Sequence, residues 1–341
     1  MPLKSILLFC FIVFLLKCGG SNTSNFKILT GVKNDKVIWG DTLKLKLNKI
    51  IEGTKVDFFL NKKPITSKHV LTNESLGTHS LKAVVSKDEI IFEKTITLTL
   101  VAPNPPKLYT YEIINSYPHD ITAYTQGLEF DGEMLYESTG LNGKSSIRIV
   151  DYKTGAISLN RPLDTNFFGE GLTILKNKVI QLTWKSMKGL VYDKKTLKMQ
   201  KSFPFSASKE GWGLCNDGSL LYKSDGTHRI WTLDAKTYEE KGNIQVMTHK
   251  TSIKNLNELE WVDGKIYANT YQFKKDVVVI IDPVSGSVDG VVDFSGLKEK
   301  VKQHKQLNVF NGIAYHSSRK TFFVTGKNWD TLFEVNIIPK E

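Results

Sequence analysis

The chain has 341 residues, of which 40% are hydrophobic and 24% are charged, and this is the composition of a soluble globular protein long enough for two domains. The net charge is +11, but the lysines are spread in pairs such as Lys62-Lys63 and never form a block of five or six. The charge pattern therefore argues against a nucleic-acid-binding tail and favours a generally basic surface.

The first residues predict an export signal. Lys4 precedes an apolar run from residue 6 to residue 16. This run is about half of the ~20 residues that a membrane-spanning helix needs, so residues 1–17 are predicted to be a signal peptide rather than a membrane anchor.

The apolar run ends in "LLKC" and is followed by "GGSNTSN". This resembles a bacterial lipobox, whose cysteine, here Cys18, is lipidated and becomes the first mature residue. Lys17 stands where a small residue is usual, so simple secretion is the alternative. We expect residues 18–25 to be a tether, and the protein to be a lipoprotein of the bacterial cell envelope, on the periplasmic side or at the cell surface. Beyond Cys18 only Cys215 would remain in the mature chain, and its alternating apolar context predicts a small core residue.

Residues 26–101 show the alternation of β-strands, as at Leu43, Leu45 and Leu47, with turn residues between the runs. About 75 residues of this kind favour an immunoglobulin-like β-sandwich. No cluster in this region carries chemistry, so we interpret it as a spacer or adaptor. The stretch "APNPPK" at 102–107 has three prolines and predicts an extended linker.

Residues 108–341 repeat one pattern: a polar or aromatic residue, usually Gly, then Leu or Ile, followed by a strand, a turn and a second strand. The first residue of the pattern falls at 126, 170, 212, 257 and 311, so the steps are 44, 42, 45 and 54 residues. Repeats of 40–50 residues built from short strands are typical of a β-propeller with one blade per repeat. The copies read "TQGLEFDG", "GEGLTILKN", "GWGLCNDG", "LNELEWVDG" and "FNGIAYHSS".

A second repeat supports the same frame. The motif D-x-x-[ST] follows an apolar run four times, and an aspartate favours the first position of a turn because its side chain bonds nearby backbone N–H groups. These turns predict the outer hairpins of four blades. "TLFEVNI" near the chain end would pair with "LYTYEII" at 108–114 to complete a fifth blade and close the ring. We therefore predict an all-β protein in which a five-bladed β-propeller follows the immunoglobulin-like domain. The four motifs begin at Asp151, Asp193, Asp234 and Asp282.

Residues at one repeat position form a ring around the axis of a propeller. A purely structural ring should favour one residue type, whereas two rings here differ from blade to blade. Their mixture of a few polar groups and an aromatic wall is typical of a small-ligand site. The first ring is Gln126, Glu170, Trp212, Asn257 and Asn311, and the second is Thr139, Trp184, Asp225, Tyr271 and Lys327.

These positions also have simpler interpretations. Gln126 and Asn311 could line a water-filled channel, Trp184 and Trp212 could fill the core, and Asp225 could cap a turn. Phe168 and Tyr124 flank the ring and could pack between blades. Glu170 is harder to explain in this way, because an acid at a crowded position costs desolvation unless it is paired or used.

The sequence contains no clear metal-binding, nucleophile or phosphate-binding motif. The seven histidines are scattered without H-x-H or H-E-x-x-H spacing, and no G-x-S-x-G elbow occurs. "GLNGKSS" at 140–146 is similar to a phosphate loop, but it lies between strands. We expect no cofactor and no catalytic metal. The sequence leaves open whether an ion binds in the channel, because Asp225 and the ring amides offer oxygen ligands.

Eight ordered motifs resemble the plant-type and bacterial glutaminyl cyclases, and the resemblance covers residues 108–338. It implies a five-bladed propeller that converts N-terminal glutamine to pyroglutamate with loss of ammonia, on a peptide or protein substrate. That family is unrelated to the zinc-dependent animal type, which agrees with the missing metal ligands. The motifs are "YTQGLEF", "YESTGLNGKSSIR", "FGEGLT", "GWGL", "SDGT", "NLNELEW", "NGIAY" and "FVTGKNW".

The resemblance implies a pocket at matching positions of this chain. Tyr124 stands where the family commonly has Phe, and Tyr271 where it commonly has Trp, so the wall stays aromatic. We expect a monomer with no nucleic-acid partner and no membrane contact beyond the lipid anchor. The implied pocket residues are Gln126, Phe168, Glu170, Trp184, Trp212, Asn257 and Lys327.

The reaction requires the α-amine of the substrate to attack its own γ-carboxamide, and one carboxyl group can move both protons involved. We assign that role to Glu170, with its pKa raised by aromatic surroundings and lowered by any nearby lysine. Lys327 or the amide of Asn257 would face the oxyanion. The aromatic residues would fold the glutamine side chain, and Gln126 would orient the substrate. The alternatives are a non-catalytic cell-surface propeller that binds peptides or glycans, and a metal-dependent propeller hydrolase.

Overall fold

The structure, a computed structural model, describes residues 26–50 and 52–341. The predicted signal peptide, the tether and Cys18 lie outside the described residues. Nearly all regular structure in the described part is β, because the two helices present are single 3₁₀ turns, at Lys33–Asp35 and Lys298–Lys300. The prediction of an all-β chain is confirmed. No helix in these ranges is long and apolar enough to cross a membrane.

The first nine strands form three small sheets, with the orders β1-β4, β3-β7 and β2-β9-β8-β5-β6. Leu43, Leu45 and Leu47 are buried while the residues between them are exposed, as the alternation predicts. These strands are β1 (Ile28–Leu29), β2 (Lys36–Ile38), β3 (Thr42–Lys44), β4 (Lys46–Leu47), β5 (Lys55–Leu60), β6 (Lys63–Ile65), β7 (Lys68–Val70), β8 (Gly77–Lys87) and β9 (Ile90–Val101).

The next twenty strands follow the repeats found in the sequence. They are β10 (Lys107–Pro118), β11 (Thr125–Asp131), β12 (Met134–Thr139), β13 (Ser146–Asp151), β14 (Ala156–Pro162), β15 (Gly169–Leu175), β16 (Lys178–Thr183), β17 (Lys188–Asp193), β18 (Met199–Pro204), β19 (Leu214–Asn216), β20 (Leu220–Ser224), β21 (Arg229–Asp234), β22 (Glu240–Gln245), β23 (Leu256–Val262), β24 (Lys265–Thr270), β25 (Val277–Ile281), β26 (Val288–Asp293), β27 (Phe310–His316), β28 (Thr321–Gly326) and β29 (Thr331–Pro339).

Three of the sheets contain four consecutive strands each: sheet I (β11–β14), sheet II (β15–β18) and sheet III (β19–β22). A larger eight-stranded sheet contains two further sets of four, sheet IV (β23–β26) and sheet V (β27, β28, β29 and β10), joined where β26 and β10 pair in parallel. β10 pairs antiparallel with β29 from Tyr109–Pro339 to Pro118–Thr331. The last strand of the chain therefore pairs with the first strand after the linker, as the sequence predicts.

The D-x-x-[ST] motifs lie at the turns between the third and fourth strands of sheets I to IV. Asp193 Oδ1 accepts hydrogen bonds from the backbone N–H and the hydroxyl of Thr196, at 2.9 and 2.8 Å. Asp234 Oδ1 accepts the N–H groups of Lys236 and Thr237. The aspartates thus stabilise the turns through the backbone contacts that the sequence predicts.

The core lies between neighbouring sheets. One hydrophobic cluster joins Ile147 of sheet I to Val179 of sheet II, and others join II to III, III to IV and IV to V. A fifth cluster joins sheet V back to sheet I, through Phe323 and Leu135. The Leu or Ile that follows each ring position lies almost completely buried in these clusters: Leu128, Leu172, Leu214, Leu259 and Ile313.

The chain forms two compact units that interleave in sequence. The described part of the first comprises residues 26–31, 43–69 without residue 51, and 80–96, and the second comprises 32–42, 70–79 and 97–341. All repeats of the sequence belong to the second unit.

Candidate active site

Four residues of the first ring lie where the pairing of the inner strand is irregular, in sheets I, II, IV and V. The pairing of β15 with β16 shifts between Gly169 and Leu172, so Glu170 sits in a bulge. Corresponding shifts place Gln126, Asn257 and Asn311 in irregular positions of β11, β23 and β27. A bulge re-aims side chains that an ideal strand would direct elsewhere. The repeated bulge therefore explains how strands with buried faces present polar side chains to one place.

Two glycines allow the inner strands to approach one another closely. A Cβ on Gly171 would lie 2.6 Å from the carbonyl oxygen of Trp212, and one on Gly213 would lie 2.0 Å from that of Asn257. Gly171 N–H donates to the Trp212 carbonyl at 2.6 Å. The glycines beside the ring residues therefore provide room for the backbone of the next sheet, which brings the ring side chains together.

Nine residues line a cavity of about 250 Å³ at one end of the sheets, and all five sheets contribute at least one. The set contains every pocket residue named from the sequence. The residues are Tyr124 and Gln126 (sheet I), Phe168, Glu170 and Trp184 (sheet II), Trp212 (sheet III), Asn257 and Tyr271 (sheet IV), and Lys327 (sheet V).

Glu170 and Lys327 are the ionisable pair of the cavity, and they are only 4% and 3% exposed. Burial raises the pKa of Glu170 well above its ordinary value; Lys327 opposes this shift and Glu210 adds to it. Burial lowers the pKa of Lys327 to about 8, against the opposing charge of Glu170. Glu170 Oε2 has no hydrogen-bond partner. The raised pKa favours the neutral carboxyl form, and a carboxyl group in this setting can accept a proton and return it.

Lys327 is held by aromatic rings rather than by an acid. Its Nζ lies 4.7 Å from the ring centroid of Tyr124 and 5.0 Å from that of Tyr271. Burial raises the pKa of Tyr124 to about 12, with smaller contributions from Tyr271 and Glu170. Tyr124 is therefore neutral, and both rings stabilise the cation through their faces.

The amides of Gln126 and Asn257 line the cavity, and Asn311 lies next to Gln126 outside it. Asn257 Oδ1 is buried without a partner, while the Asn257 carbonyl accepts the Ser224 hydroxyl at 2.7 Å. The Asn311 side-chain N–H₂ donates to the Thr125 carbonyl at 3.0 Å and to Gln126 Oε1 at 3.4 Å. Asn257 is thus anchored through its backbone with its side chain available, whereas Asn311 serves to hold Gln126 and its neighbour.

The aromatic wall consists of edge-to-face contacts. Phe168 meets Trp184 at 5.4 Å between ring centroids, and Trp212 meets Tyr271 at 5.9 Å. Tyr124 and Phe168 lie 6.1 Å apart with perpendicular rings. The only polar atoms of these aromatic side chains are the tyrosine hydroxyls and the indole N–H groups.

Three ring residues do not line this cavity. Asp225 accepts from Thr227 N–H, from the Thr227 hydroxyl and from Trp231 Nε1. It is therefore a turn cap, which is the simpler of its two interpretations. Thr139 bonds Ser146 at 2.9 Å, and Asn311 is engaged as described above. The two rings contribute seven of the nine lining residues, and Tyr124 and Phe168 complete the set.

Sequence reasoning missed Glu210. A single oxygen, Glu210 Oε2, accepts the indole N–H of Trp184 at 2.7 Å and that of Trp212 at 2.8 Å. Glu210 lies two residues before the ring position of sheet III, where the other repeats have no acid. The only available signal was an acid directly before the glycine of "EGWGL".

Among the described residues, no group of three or more His, Cys, Asp and Glu side chains could hold a metal ion. The remaining cysteine in these ranges, Cys215, is free and fully buried, which agrees with the prediction of a core residue.

The comparisons with known proteins cover the same part of the chain. The family described as glutamine cyclotransferase matches residues 88–337, a range that includes all nine cavity residues. The chain belongs to the glutamine cyclotransferase family. The family range begins in the turn between β8 and β9, earlier than the start at residue 108 given by the sequence motifs.

Two relatives of the family are similar over most of their own length. The glutaminyl-peptide cyclotransferase of Arabidopsis thaliana is 38% identical over 229 residues, which is 66% of this chain and 71% of the plant protein. The crystal structure of the Myxococcus xanthus glutaminyl cyclase superposes with a TM-score of 0.64 at 32% identity, over 69% of this chain and all of that one.

Proposed function

We propose that this member of the glutamine cyclotransferase family converts the N-terminal glutamine of peptides and proteins to pyroglutamate and releases ammonia in the cavity described above. The chain is an enzyme of the glutaminyl-peptide cyclotransferase class by its family and its plant relative. One observation of the site carries the proposal. Two buried oxygens, Glu170 Oε2 and Asn257 Oδ1, lack protein partners in a cavity that is otherwise lined by five aromatic residues, Gln126 and Lys327. They are acceptors suited to an ammonium and an amide N–H₂ group.

The proton steps follow from the position of Glu170. The substrate ammonium has a pKa near ~8, so it loses one proton to bulk water before the amine can attack. The amine nitrogen then bonds to the γ-carbonyl carbon, and Glu170 accepts a second proton from that nitrogen. Glu170 returns this proton to the γ-nitrogen as the C–N bond breaks, and ammonia leaves. One carboxyl group with a raised pKa serves both directions of transfer.

The oxyanion requires positive charge or an N–H donor. Lys327 supplies the cation, and the Asn257 side-chain N–H₂ supplies a neutral donor. The low accessibility of both side chains strengthens these interactions, because little water competes in the cavity.

The aromatic wall determines the conformation of the substrate. The glutamine side chain must fold so that its ends meet, and a flexible chain loses entropy in doing so. Phe168, Trp184, Trp212 and Tyr271 leave space for one residue, because about 250 Å³ lies below the range of a drug-sized pocket. Gln126, held by Asn311, would orient the substrate amide or amine.

We also propose that sheets I to V are the five blades of a β-propeller and that residues 26–101 form an immunoglobulin-like domain before the linker at 102–107. The closed series of hydrophobic clusters between successive sheets and the pairing of β10 with β29 support the blade count. The β-rich sheets and alternating burial of the first region support the second assignment.

The remaining proposals concern the setting of the enzyme. We propose a metal-independent, monomeric lipoprotein that is tethered through Cys18 to the bacterial cell envelope, on its periplasmic side or at the cell surface. The sequence of residues 1–18 supports the anchor. Labelling with a lipid precursor would test it, since a Cys18→Ser variant should lose the label.

Glu170→Gln tests the proposed chemistry, because it keeps the shape of the side chain and removes the base. Ammonia release from a Gln-initiated dipeptide should fall by about 10²-fold or more while the unfolding midpoint stays unchanged. Near-normal turnover would contradict the assignment.

The same measurement of ammonia release, made with and without a chelator, separates the alternatives. A metal-dependent hydrolase would lose activity with the chelator, and a non-catalytic binder would release no ammonia in either case. The proposed enzyme should be equally active in both.

A further inference from the structure

A second acid lies directly behind the aromatic wall of the cavity. Glu210 Oε2 accepts the indole N–H groups of Trp184 and Trp212, which belong to neighbouring sheets. Both indoles line the cavity, whereas Glu210 itself does not. One carboxylate oxygen therefore fixes the orientation of two walls at once, through charge-assisted hydrogen bonds.

The loop that carries Glu210 is fixed by a buried ion pair. Lys223, which is completely buried, lies 2.9 Å from Glu240 Oε1, and its Nζ lies 3.8 Å from the ring centroid of Phe205. Glu240 Oε2 accepts the backbone N–H groups of Ser206, Ala207 and Ser208, at 3.1, 2.6 and 3.2 Å. Three consecutive N–H groups bound to one oxygen leave the loop little freedom.

The same ion pair reaches Glu210 directly. Lys223 Nζ donates to the Glu210 carbonyl at 3.4 Å. Although burial acts in the opposite direction, the bonds from Ser208 and Lys223 lower the pKa of Glu240, which favours its carboxylate form, while burial lowers the pKa of Lys223 against the attraction of Glu240. The position of Glu210 is thus set by the fold rather than by the cavity that it supports.

We propose that Glu210 is a positioning residue of the cyclisation reaction, which holds the Trp184 and Trp212 rings in the orientation that folds the substrate glutamine. The inference rests on the proposed function, since it assumes that the two indoles contact the substrate. It assigns a role to an acid that does not touch the reacting atoms.

The charge of Glu210 has a second consequence. The groups that act on Glu170 are Lys327, which lowers its pKa, and Glu210, which raises it, while the neighbouring phenol of Tyr124 is neutral below a pH of about 12. Lys185, whose Nζ lies 4.1 Å from the Trp184 ring centroid, is a further cation on that wall. Removal of the Glu210 charge should therefore lower the pKa of Glu170.

Two substitutions separate these effects. Glu210→Gln keeps a carbonyl oxygen for the indoles and removes the charge, whereas Glu210→Leu removes the acceptor as well. Glu239→Gln is the matched control, because Glu239 is an exposed acid paired with Lys241 at 3.1 Å. The measurements are KM and kcat for a Gln-initiated dipeptide, the pH dependence of kcat/KM, and the ¹⁵N–¹H resonances of the indoles.

For Glu210→Leu we expect KM to rise by roughly tenfold to a hundredfold, because two bonds to a charged acceptor are lost. The change in kcat should be smaller. The resonances of the two wall indoles should move upfield, and those of the other four tryptophans should not. For Glu210→Gln the indole resonances and KM should stay close to the wild type, and the acidic limb of kcat/KM should move to lower pH. The control should match the wild type throughout.

Unchanged indole resonances together with an unchanged KM in Glu210→Leu would overturn the proposal. If that variant fails to fold, Glu210→Ala, which also removes the acceptor, replaces it, and unchanged indole resonances and an unchanged KM there would overturn the proposal. The indole resonances do not depend on turnover, so they test the positioning role even if Glu170→Gln were to show that the proposed chemistry is wrong.

Discussion

Lys327 is a buried cation of the cavity whose charge depends on pH. Burial lowers its pKa to about 8, so the cation is present below this pH and is lost above it. If the cation faces the oxyanion, kcat/KM should decline as the pH rises through about 8. The raised pKa of Glu170 gives the opposite limb, because the base form is lost as the pH falls.

Lys327→Arg should move the alkaline limb. The guanidinium stays protonated throughout the accessible range, so the decline should shift upward by about one pH unit or more, even though the absolute rate falls because the group is larger. The measurement is kcat/KM against pH with one dipeptide, so that ionisation of the substrate amine is common to both curves. Lys241→Arg, at an exposed ion pair, is the control. Superimposable alkaline limbs in the Lys327→Arg and wild-type enzymes would rule out this role.

At the scale of elements, the approach of inner strands depends on glycine. A Cβ on Gly171 would lie 2.6 Å from Leu214 N and from the Trp212 carbonyl oxygen, both backbone atoms that cannot move aside. Gly171→Ala should therefore separate sheets II and III and lower the free energy of unfolding by about 1–3 kcal/mol. Denaturant unfolding followed by circular dichroism measures this loss.

Gly242→Ala is the matched control, because its nearest atom is Thr232 Oγ1 at 3.9 Å and its backbone is not in the left-handed region. It should leave stability within about 0.5 kcal/mol or raise it slightly. A Gly171→Ala protein as stable as this control would show that the sheets are not held by close backbone contact.

Loops of sheets I and V form a second cavity, of about 830 Å³, which shares Tyr124 with the first. Lys144 and Lys302 line this cavity and are exposed, and neither forms an ion pair within the described part of the chain. Asp120 in this cavity is already bound to Arg148 at 2.8 Å. The residues after the substrate glutamine should lie here and meet uncompensated positive charge.

We expect peptides with Asp or Glu after the glutamine to have a lower KM than peptides with Lys, by roughly 1.5- to fivefold for each exposed pair. A Lys144→Ala/Lys302→Ala double variant should abolish the difference, and added salt should reduce it. Glutamine amide, which has no following residue, is the control and should respond to neither change. An acidic preference that persists in the double variant would contradict this path for the peptide.

The repeats made these elements largely predictable. The repeated motif predicted that Glu170, Asn257 and Lys327 lie at the same end of their repeats. The D-x-x-[ST] turns marked where the outer hairpins lie. Both signals could be found in the sequence because they depend on local chemistry. Glu210 was missed because its contacts come from tertiary packing: the other repeats have no acid at its position, and the two indoles that it joins belong to different repeats.

The first region shows the same limit at larger scale. The alternation of apolar residues predicted strands in this region. It did not predict that β2 pairs in parallel with β9, where Lys36 and Thr99 are 99 − 36 = 63 residues apart in sequence. Alternation carries no information on strand partners. The interleaved segments of the two compact units, such as 32–42 and 70–79, could not be read from composition for the same reason.

At the scale of the whole molecule, β29 pairs with β10, the first strand after the linker. β29 pairs with both β28 and β10. Its Leu332 belongs to the cluster between sheets V and I, while Phe333 and Val335 belong to the cluster between sheets IV and V. Burial of such side chains contributes about 1.5–3 kcal/mol each. Three of them are a large share of a total stability of about 5–15 kcal/mol.

A chain that ends at Asp330 should therefore lose the cooperative unfolding transition and all cyclase activity, although it retains every cavity residue up to Lys327. Without β29, the edges of β10 and β28 are unpaired and open to aggregation. A chain that ends at Pro339 keeps all pairs of β29 and is the control, which should unfold and turn over substrate as the full chain does. Circular dichroism in denaturant, limited proteolysis and ammonia release measure the three properties. A cooperative transition at the wild-type midpoint in the shorter chain would mean that the five sheets do not depend on closure by the last strand.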